Sequence, residues 1–371
     1  MKIELFEMER FQSTWEKIVD YDLAESGILP VTVRELTKLG FELDSVLDLS
    51  LGYNQTNGTP QLRQLIAQSY PGATAEQVLV TNGTSEANFL AALSQLRAGD
   101  EFAFEMPNYM QLRGLARSLG AQVNEFRLRR QQDWQLDWDE FERAVNPNTR
   151  LVYLTNPNNP TGTVLSPAAR ERIVARCEEV DAYLISDEVY LGAEIDRDRT
   201  ESFWGTSDKV IVTSGLSKAY GLPGLRIGWI VASEDLVHDC WTQHDYTTIA
   251  SSRLSDIMAC VAVEPANRDQ LFDRTRRILQ ENWRVMRDWI DSFDGLLSCD
   301  PPAAGAMCLV KYQSDLPSQQ LAQRILKNQS TLVVPGHYLG LEGYLRIWFG
   351  ARPEYLSAGL RRLGIELKQL Q

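Results

Sequence analysis

The 371-residue sequence is poor in the residues that build metal sites and disulfide networks. It contains three histidines and five cysteines, and no two cysteines are spaced as CxxC. Scattered cysteines in odd number indicate reduced thiols in a cytoplasmic protein, and so few histidines argue against a metal site. The net charge is −13, with no basic run and no apolar run of membrane-spanning length. We therefore expect neither nucleic acid nor a membrane as a partner.

What the sequence does contain is a regular alternation of two patterns. Between about residues 76 and 235, short β-rich runs alternate with helical patterns, which predicts βαβ units and a mostly parallel sheet covered on both faces. After residue 270 the pattern loosens into a long helical stretch and a smaller α+β region. The strand candidates are QVLVT, LVYLT, AYLIS and KVIVTS in the first region and LVKY, TLVVPG and YLRIWFG in the second.

Polar residues follow the predicted strands, where a parallel sheet collects its ligands. TNGTSEA (81–87) places a glycine and two hydroxyls at a helix start, which suits a phosphate, although the same residues also form an ordinary helix cap. NPNNPTG (156–162) holds Asn159 in a turn as a fixed amide donor, or serves as a structural turn alone.

Two charged residues follow further strands. Asp187 at the end of AYLISD needs a cation if it is buried, such as a protonated ring nitrogen; the alternative is a helix N-cap. Lys218 lies in SGLSKAYGLPGLRIGW (214–229) with Arg226, and a desolvated lysine near cations becomes a nucleophile towards carbonyls. The alternative there is a solvated lysine in a glycine-rich loop. A phosphate site, an amide, a carboxylate and a lysine together suggest pyridoxal phosphate as cofactor.

These motifs, in this order and with PNY and YLRIWFG, resemble the class I/II aminotransferases of fold type I over roughly residues 45 to 365. The resemblance implies a three-layer α/β/α large domain with a mostly parallel sheet and a smaller α+β domain. We expect an N-terminal arm (1–45) that contributes to the small domain, a large cofactor-binding domain (46–265) and a small C-terminal domain (266–371).

The resemblance also implies a role for each matching residue. Lys218 is expected to be the Schiff-base lysine, and Arg346 to clamp the α-carboxylate of an amino acid substrate. Tyr53 matches a tyrosine that reaches the phosphate of a neighbouring subunit, which implies a homodimer with shared active sites. The cofactor contacts implied are Gly83, Thr84, Ser85, Ser217 and Arg226 at the phosphate, Tyr109 stacked on the ring, Asn159 (also beside the substrate) and Tyr190 at the phenolic oxygen, and Asp187 at the ring nitrogen.

The sequence departs from the family pattern before the lysine. A serine often precedes the Schiff-base lysine by three residues in the family, but this chain has Gly215 there. Ser214 lies one residue earlier and Ser217 two residues later, so the hydroxyl that contacts the phosphate is left open between them.

The reaction is less determined than the cofactor. A 2-oxo-acid-dependent aminotransferase is the default, and a carbon–sulfur lyase is not excluded. The arm over residues 6–36, however, resembles the capreomycidine-synthase group, which cyclises hydroxylated arginine. We expect Lys218 to remove the Cα proton, a hydroxyl to leave, and the substrate guanidine to close a cyclic guanidino amino acid. Glu9 is selected as the guanidinium contact because Met8 and Phe11 indicate a partly buried face, although the acidic residues of the arm can also face water.

Overall fold

The computed structural model describes residues 3–370, which form twelve α-helices and fourteen strands in three sheets. The helices are α1 (Glu7–Trp15), α2 (Val33–Lys38), α3 (Pro60–Ala67), α4 (Thr84–Gln95), α5 (Gln111–Leu119), α6 (Trp138–Ala144), α7 (Pro167–Glu179), α8 (Glu234–His244), α9 (Arg253–Val263), α10 (Pro265–Asp291), α11 (Ser318–Gln329) and α12 (Pro353–Leu367). The strands are β1 (Tyr21–Asp22), β2 (Val78–Thr81), β3 (Glu101–Met106), β4 (Gln122–Arg129), β5 (Gln135–Leu136), β6 (Thr149–Thr155), β7 (Tyr183–Asp187), β8 (Val210–Gly215), β9 (Gly228–Val231), β10 (Leu297–Ser298), β11 (Met307–Tyr312), β12 (Thr331–Leu332), β13 (Val334–Pro335) and β14 (Tyr344–Trp348).

The largest sheet has eight strands in the order β2-β9-β8-β7-β6-β3-β4-β5. The five strands from β8 to β4 are parallel, and β5 runs antiparallel to β4. Strand β9 lies antiparallel between β2 and β8, because the chain returns directly from β8 through the turn that carries the predicted lysine. The predicted α/β class with a mostly parallel sheet is confirmed, and each of its four strand candidates is a strand.

Alternating side chains of this sheet divide the core between its two faces. On β6, Leu151 and Tyr153 pack with residues of α4, α5 and α8, whereas Val152 and Leu154 pack on the other side with residues of α7 and α10. Successive side chains of a strand point to opposite faces, so an uninterrupted apolar run is buried on both. This arrangement is the predicted three-layer α/β/α structure.

The C-terminal region is built around a four-stranded antiparallel sheet in the order β10-β11-β14-β13. The expected single strand over TLVVPG is instead divided. Its first part, β12, pairs with β1 near the N-terminus, and its second part, β13, pairs with β14. Pro335 has no N–H to extend the second ladder, and a 3₁₀ turn at Gly336–Leu339 follows.

The N-terminal arm connects the C-terminal region to the large sheet. After β1 pairs with β12, the Leu29 N–H donates to the Gly350 carbonyl (2.7 Å), and the Val31 N–H donates to the Gly221 carbonyl (2.8 Å). The arm therefore passes across the carboxyl ends of the large sheet. The domain boundaries at residues 45/46 and 265/266 remain a prediction. Throughout residues 3–370, every helix is too short or too polar to span a lipid bilayer.

Candidate active site

A cavity of about 290 Å³ lies at the carboxyl ends of β6, β7 and β8, beneath the N-terminal arm. This is where an open parallel sheet places its ligands. The predicted site residues that line it are Glu9, Thr84, Ser85, Tyr109, Asn159, Asp187, Tyr190, Ser217, Lys218, Arg226 and Arg346. Gly83 lies against the Arg226 side chain, whereas Tyr53 lies outside the cavity.

The start of α4 forms one end of the cavity. Gly83 has a left-handed φ of 87°, and a Cβ there would overlap the guanidinium of Arg226. A Cβ on Gly228 of β9 would in turn overlap the backbone of Gly83, so both positions require glycine. The Thr84 hydroxyl is buried and has no hydrogen-bond partner among residues 3–370. Free helix-start amides, a guanidinium and an unpartnered hydroxyl form a cradle that fits a phosphate.

The two candidate serines before and after Gly215 face different directions. Ser217 lines the cavity, and its Oγ accepts a hydrogen bond from Arg226 Nη1 (3.4 Å). The Ser214 hydroxyl donates instead to the Glu188 carbonyl (3.3 Å), outside this cavity. A Cβ at Gly215 would lie 2.6 Å from Thr84 Oγ1, so a serine there would displace the cradle. Gly215 therefore leaves room for the Thr84 hydroxyl, which occupies the space that a side chain at position 215 would need.

Asp187 ends β7 at the centre of the cavity floor and is only 5% exposed. One carboxylate oxygen accepts hydrogen bonds from Asn88 Nδ2 (2.7 Å) and the Tyr153 hydroxyl (3.3 Å), and the other from the Val189 N–H (3.1 Å). Burial raises the pKa of Asp187 above its ordinary value. A turn rather than a helix follows in the described chain, so the helix-cap alternative does not apply. This carboxylate suits a cationic ring nitrogen.

Asn88 is a site residue that the motifs did not predict. It lies one helical turn after Thr84 on α4, on the same face of the helix. Its Nδ2 donates to Asp187, and its Oδ1 accepts from the Thr213 hydroxyl (2.6 Å), which fixes the orientation of the amide. The i, i+4 spacing from Thr84 was the signal that could have identified it.

Lys218 lies in the turn between β8 and β9. Its Nζ donates a hydrogen bond to the hydroxyl of Ser26 (2.8 Å), which belongs to the N-terminal arm. The amine is therefore inside the cavity rather than in a solvated loop. Ser26 is a second residue that no motif identified.

Arg346 on β14 is only 1% exposed. Its Nη1 donates to Asn159 Oδ1 (3.1 Å) and its Nη2 to the Ala24 carbonyl (2.6 Å), while Nε has no partner within the described part of the chain. Burial lowers the pKa of this guanidinium below its ordinary value. Because Asn159 accepts through its oxygen, its Nδ2 is left to donate elsewhere. A buried guanidinium with an unpartnered N–H suits a carboxylate.

Helix α1 covers the opposite wall. The Tyr109 hydroxyl donates to Glu9 Oε1 (2.8 Å), and the Phe6 ring packs edge-on against the Tyr109 ring at 4.9 Å between centroids. Burial and the charge of Glu9 raise the pKa of Tyr109 well above its ordinary value. Glu9 thus lines the cavity, with one carboxylate oxygen engaged by the tyrosine.

Two further carboxylates line the cavity, those of Glu16 and Glu25. Together with Asp22, their oxygens lie within 4.8 Å of one another. Burial would raise the pKa of Glu25, but the charges of Lys218 and Arg346 and the Ser26 N–H hold it below its ordinary value. Glu25 is therefore ionised, and the arm contributes a negative wall to the cavity.

Sequence comparisons agree with this geometry. The family model described as aminotransferase class I and II matches residues 27–363. Capreomycidine synthase of Streptomyces vinaceus is 31% identical over 350 residues, 93% of this chain and 89% of that protein. Valine–pyruvate aminotransferase of Mycobacterium tuberculosis is 31% identical over 341 residues, 85% of this chain and 83% of that protein. Arginine–pyruvate transaminase AruH of Pseudomonas aeruginosa is 27% identical over 337 residues, 87% and 84% of the two chains.

Solved structures are equally similar. A PLP-dependent aminotransferase from Streptococcus suis superposes with a TM-score of 0.94 at 32% identity, covering 100% of this chain and 99% of that one. The PLP-dependent cyclase OrfR superposes with a TM-score of 0.91 at 26% identity, covering 100% and 98%. Aminotransferases and cyclases thus stand at similar distances from this chain.

Proposed function

The chain belongs to the family of class I and II aminotransferases and uses pyridoxal 5′-phosphate, and from this premise we propose that it cyclises a hydroxylated arginine. The product would be a cyclic guanidino amino acid of the capreomycidine or enduracididine type, formed with loss of water. The observation that carries this proposal is the wall of three carboxylate side chains, Glu9, Glu16 and Glu25, which lines the same cavity as Lys218 and Arg346. A substrate with a carboxylate at one end and a guanidinium at the other matches both charges.

The residues of the cavity have distinct tasks in this proposal. When bound, pyridoxal phosphate supplies an aldehyde that condenses with amines and a ring that takes up the electron pair left at Cα. Thr84, Ser217 and Arg226 would hold its phosphate, with the backbone of Gly83 and Ser85. The Asp187 carboxylate would hold a proton at the ring nitrogen, Tyr109 would lie on the ring face, and Asn159 and Tyr190 would donate to its phenolic oxygen.

Around the substrate, Arg346 and Asn159 would bind the α-carboxylate, and Lys218 would act as the base. The amine takes the Cα proton, and the hydroxyl on Cβ, or on Cγ after Cβ is also deprotonated, leaves as water. A guanidine nitrogen bonds to the carbon that lost the hydroxyl and releases a proton, which balances the proton taken up when the hydroxyl leaves as water. Lys218 returns a proton to Cα, and in the Cγ route Cβ also regains the proton that it lost. The net change is the loss of one water, with no oxidant or reductant.

A transaminase reaction is the second candidate, because the valine–pyruvate and arginine–pyruvate enzymes are 31% and 27% identical to this chain. A transaminase that acts on arginine would also benefit from carboxylates that face the substrate guanidinium. The two reactions use the same base and carboxylate clamp, so the difference lies in where the proton returns and whether a 2-oxo acid is required.

The assembly we propose is a homodimer with shared active sites. Tyr53 is 89% exposed and lies outside its own cavity, beside the exposed Leu51. The Arg253 guanidinium donates to the Ser50 carbonyl (2.7 Å), which ties this segment to the start of α9. A second copy would cover the exposed Leu51 and Tyr53 and bring Tyr53 to the neighbouring phosphate.

The test offers arginine, β-hydroxyarginine, γ-hydroxyarginine, valine and alanine separately to the cofactor-loaded protein, with and without pyruvate. Product masses and the visible absorption of the cofactor are followed. The proposal expects a product lighter than a hydroxyarginine by one water, without pyruvate and with the cofactor spectrum restored at the end.

Two controls accompany this test. Without pyruvate, a transaminase would release about one equivalent of 2-oxo acid per site and leave the cofactor in its amine form, and continued release would require pyruvate. That result would replace the cyclase with the transaminase. Lys218→Ala should abolish either reaction, whereas Lys311→Ala, at an exposed position of β11, should leave it unchanged.

A further inference from the structure

The N-terminal arm contacts both reactive ends of the proposed active site within three residues. The Ala24 carbonyl accepts from Arg346 Nη2 (2.6 Å), and the Ser26 hydroxyl accepts from Lys218 Nζ (2.8 Å). Ser26 is 8% exposed and lines the cavity, so its hydroxyl is not an incidental surface contact. The carboxylate clamp and the amine are thus connected through one short segment.

That segment is fixed from both sides. The Leu23 N–H donates to the Leu332 carbonyl (2.8 Å), and the Leu29 N–H donates to the Gly350 carbonyl (2.7 Å). Between them, a Cβ on Gly27 would lie 3.3 Å from the Ser217 carbonyl oxygen, so the backbone passes directly against the lysine loop. The position of the Ser26 hydroxyl is therefore set by the backbone.

We propose that Ser26 is a positioning residue that holds the Lys218 amine over the substrate while the lysine is detached from the cofactor. A lysine side chain has four rotatable carbons and loses much freedom when it is held in one place. A fixed acceptor at hydrogen-bond distance selects the rotamer before the proton is transferred. Reaction geometry of this kind is worth orders of magnitude in rate.

The same contact serves the lysine after proton transfer. When the amine has taken the Cα proton it carries three N–H groups and a positive charge, and hydrogen bonds to charged donors are the stronger ones. The charge of Lys218 also lowers the pKa values of Glu25 and Asp187, and both carboxyl groups remain in place when Ser26 is altered. The effect of the hydroxyl can therefore be separated from theirs.

The inference rests on the proposed role of Lys218 as the base, but not on which amino acid is the substrate. The first experiment measures kcat, KM and the exchange of the substrate Cα proton with deuterium from solvent, for the cofactor-loaded protein. Ser26→Ala is compared with Ser26→Thr, which keeps the hydroxyl. Ser94→Ala is the matched control, because Ser94 is equally buried at 8% exposed but bonds to the Ala91 carbonyl of its own helix.

We expect Ser26→Ala to lower kcat and the exchange rate together by about tenfold, with KM changed less than about twofold. Ser26→Thr should recover most of the loss, and Ser94→Ala should match the wild type. A rise in KM with unchanged exchange would overturn the proposal, because it would make Ser26 a substrate contact instead.

The second experiment does not depend on catalysis. Cofactor-free protein is treated with acetic anhydride, and acetylation of Lys218 is followed by peptide mass spectrometry, with the exposed Lys17 as internal reference. Loss of the acceptor frees the amine, so Ser26→Ala should acetylate at Lys218 several-fold faster than wild type, Ser26→Thr or Ser94→Ala. Equal rates in all four proteins would show that the contact does not hold the amine.

The two experiments also separate this inference from the proposed function. If Lys218 is not the base, Lys218→Ala retains deuterium exchange, while Ser26→Ala is still acetylated at Lys218 faster than the wild type. If only the Ser26 inference is wrong, Lys218→Ala abolishes exchange and Ser26→Ala behaves as wild type.

Discussion

The floor and the cover of the cavity are built in different ways. The floor consists of Thr84, Asn159, Asp187, Lys218 and Arg226, each at a strand end or a helix start of the large sheet. The cover is the arm over residues 6–29, held by contacts to residues more than 80 positions away in the chain. The floor is fixed within the large sheet, by strand ends, close-packed glycines and hydrogen bonds to Asp187, whereas the cover is fixed by backbone and side-chain hydrogen bonds to distant parts of the chain.

The floor and the cover therefore have different expected tasks, the first in cofactor chemistry and the second in the choice of substrate. In the proposed function, the floor supplies what every reaction of the cofactor needs: a phosphate cradle, a ring carboxylate and an amine. The cover would supply the carboxylates and the hydroxyl that face the substrate. Changes in the floor should therefore affect all substrates equally, and changes in the cover should discriminate among them.

The largest effect is expected from Asp187→Asn, which keeps the shape of the floor and removes its charge. Activity should fall at least about 100-fold on every substrate, because the ring nitrogen loses its counter-ion. Because the pKa of Asp187 is higher in the folded than in the unfolded protein, the wild type loses stability as the pH rises above the pKa of the unfolded state. Without cofactor, Asp187→Asn should therefore be at least as stable as the wild type at pH 7. Urea unfolding and turnover measure the two effects. A variant that loses stability and activity in proportion would assign Asp187 a merely structural task.

Arg346→Lys is the next test, because Arg346 is held by both regions. The charge is retained, but the two-pronged geometry towards a carboxylate is lost, and KM for any amino acid should rise about 100-fold. Amines of the same side chain without an α-carboxylate should bind equally to both proteins. Competition measurements with such amines provide the control, and a weaker binding of the amine would contradict the assignment.

Glu25→Gln tests the cover alone. Removing one carboxylate of the negative wall should raise KM for arginine-like substrates about tenfold and leave neutral amino acids unchanged. Glu7→Gln, at an exposed position of the same arm, is the matched control. Equal effects on the KM of cationic and neutral substrates would show that the cover does not discriminate between substrates by charge.

The smallest effect is expected from Asp22→Asn beside this wall. Burial, with the neighbouring Glu25 and Glu16, raises the pKa of Asp22 to about 6. Its proton is bound more tightly in the folded state, so stability is lost as the pH rises from about 4 to about 6. The variant should be more stable than wild type by about 1 kcal/mol at pH 7, since part of the full shift is screened by solvent, and should lose that advantage near pH 4. Urea unfolding at the two pH values measures it, and an equal advantage at both would contradict the assigned cause.

The floor could be predicted almost completely from the sequence. Asp187 is the last residue of one apolar strand, Lys218 lies three residues after the end of the next, and Gly83 directly precedes a helix, so a local pattern carries both the structure and the chemistry. The cover could not be predicted in the same way. Ser26 meets Lys218 across 192 residues, and β1 is a two-residue strand without any periodicity. Such contacts depend on the complete fold.

A buried glutamate shows a second limit of pattern reading. Strand β3 is not among the strands predicted from the sequence; Glu101 stands at its start and Glu105 interrupts its apolar run. Glu105 is nevertheless buried, where burial raises its pKa to about 8, and it accepts hydrogen bonds from the Thr155 N–H (3.0 Å) and from Asn158 Nδ2 (2.9 Å). Donors from a neighbouring strand end satisfy a group that the sequence alone assigns to the surface.

The contact between Ala24 and Arg346 joins positions 322 residues apart, and it bears on the order in which the protein can be made. The strands of the large sheet, from β2 to β9, are complete when translation has passed residue 231. The arm is synthesised first, but β1 pairs with β12 and the Ala24 carbonyl meets Arg346 only after residues 331–350 have left the ribosome. Ribosome-bound chains of increasing length should therefore begin to retain pyridoxal phosphate firmly only when synthesis is nearly finished.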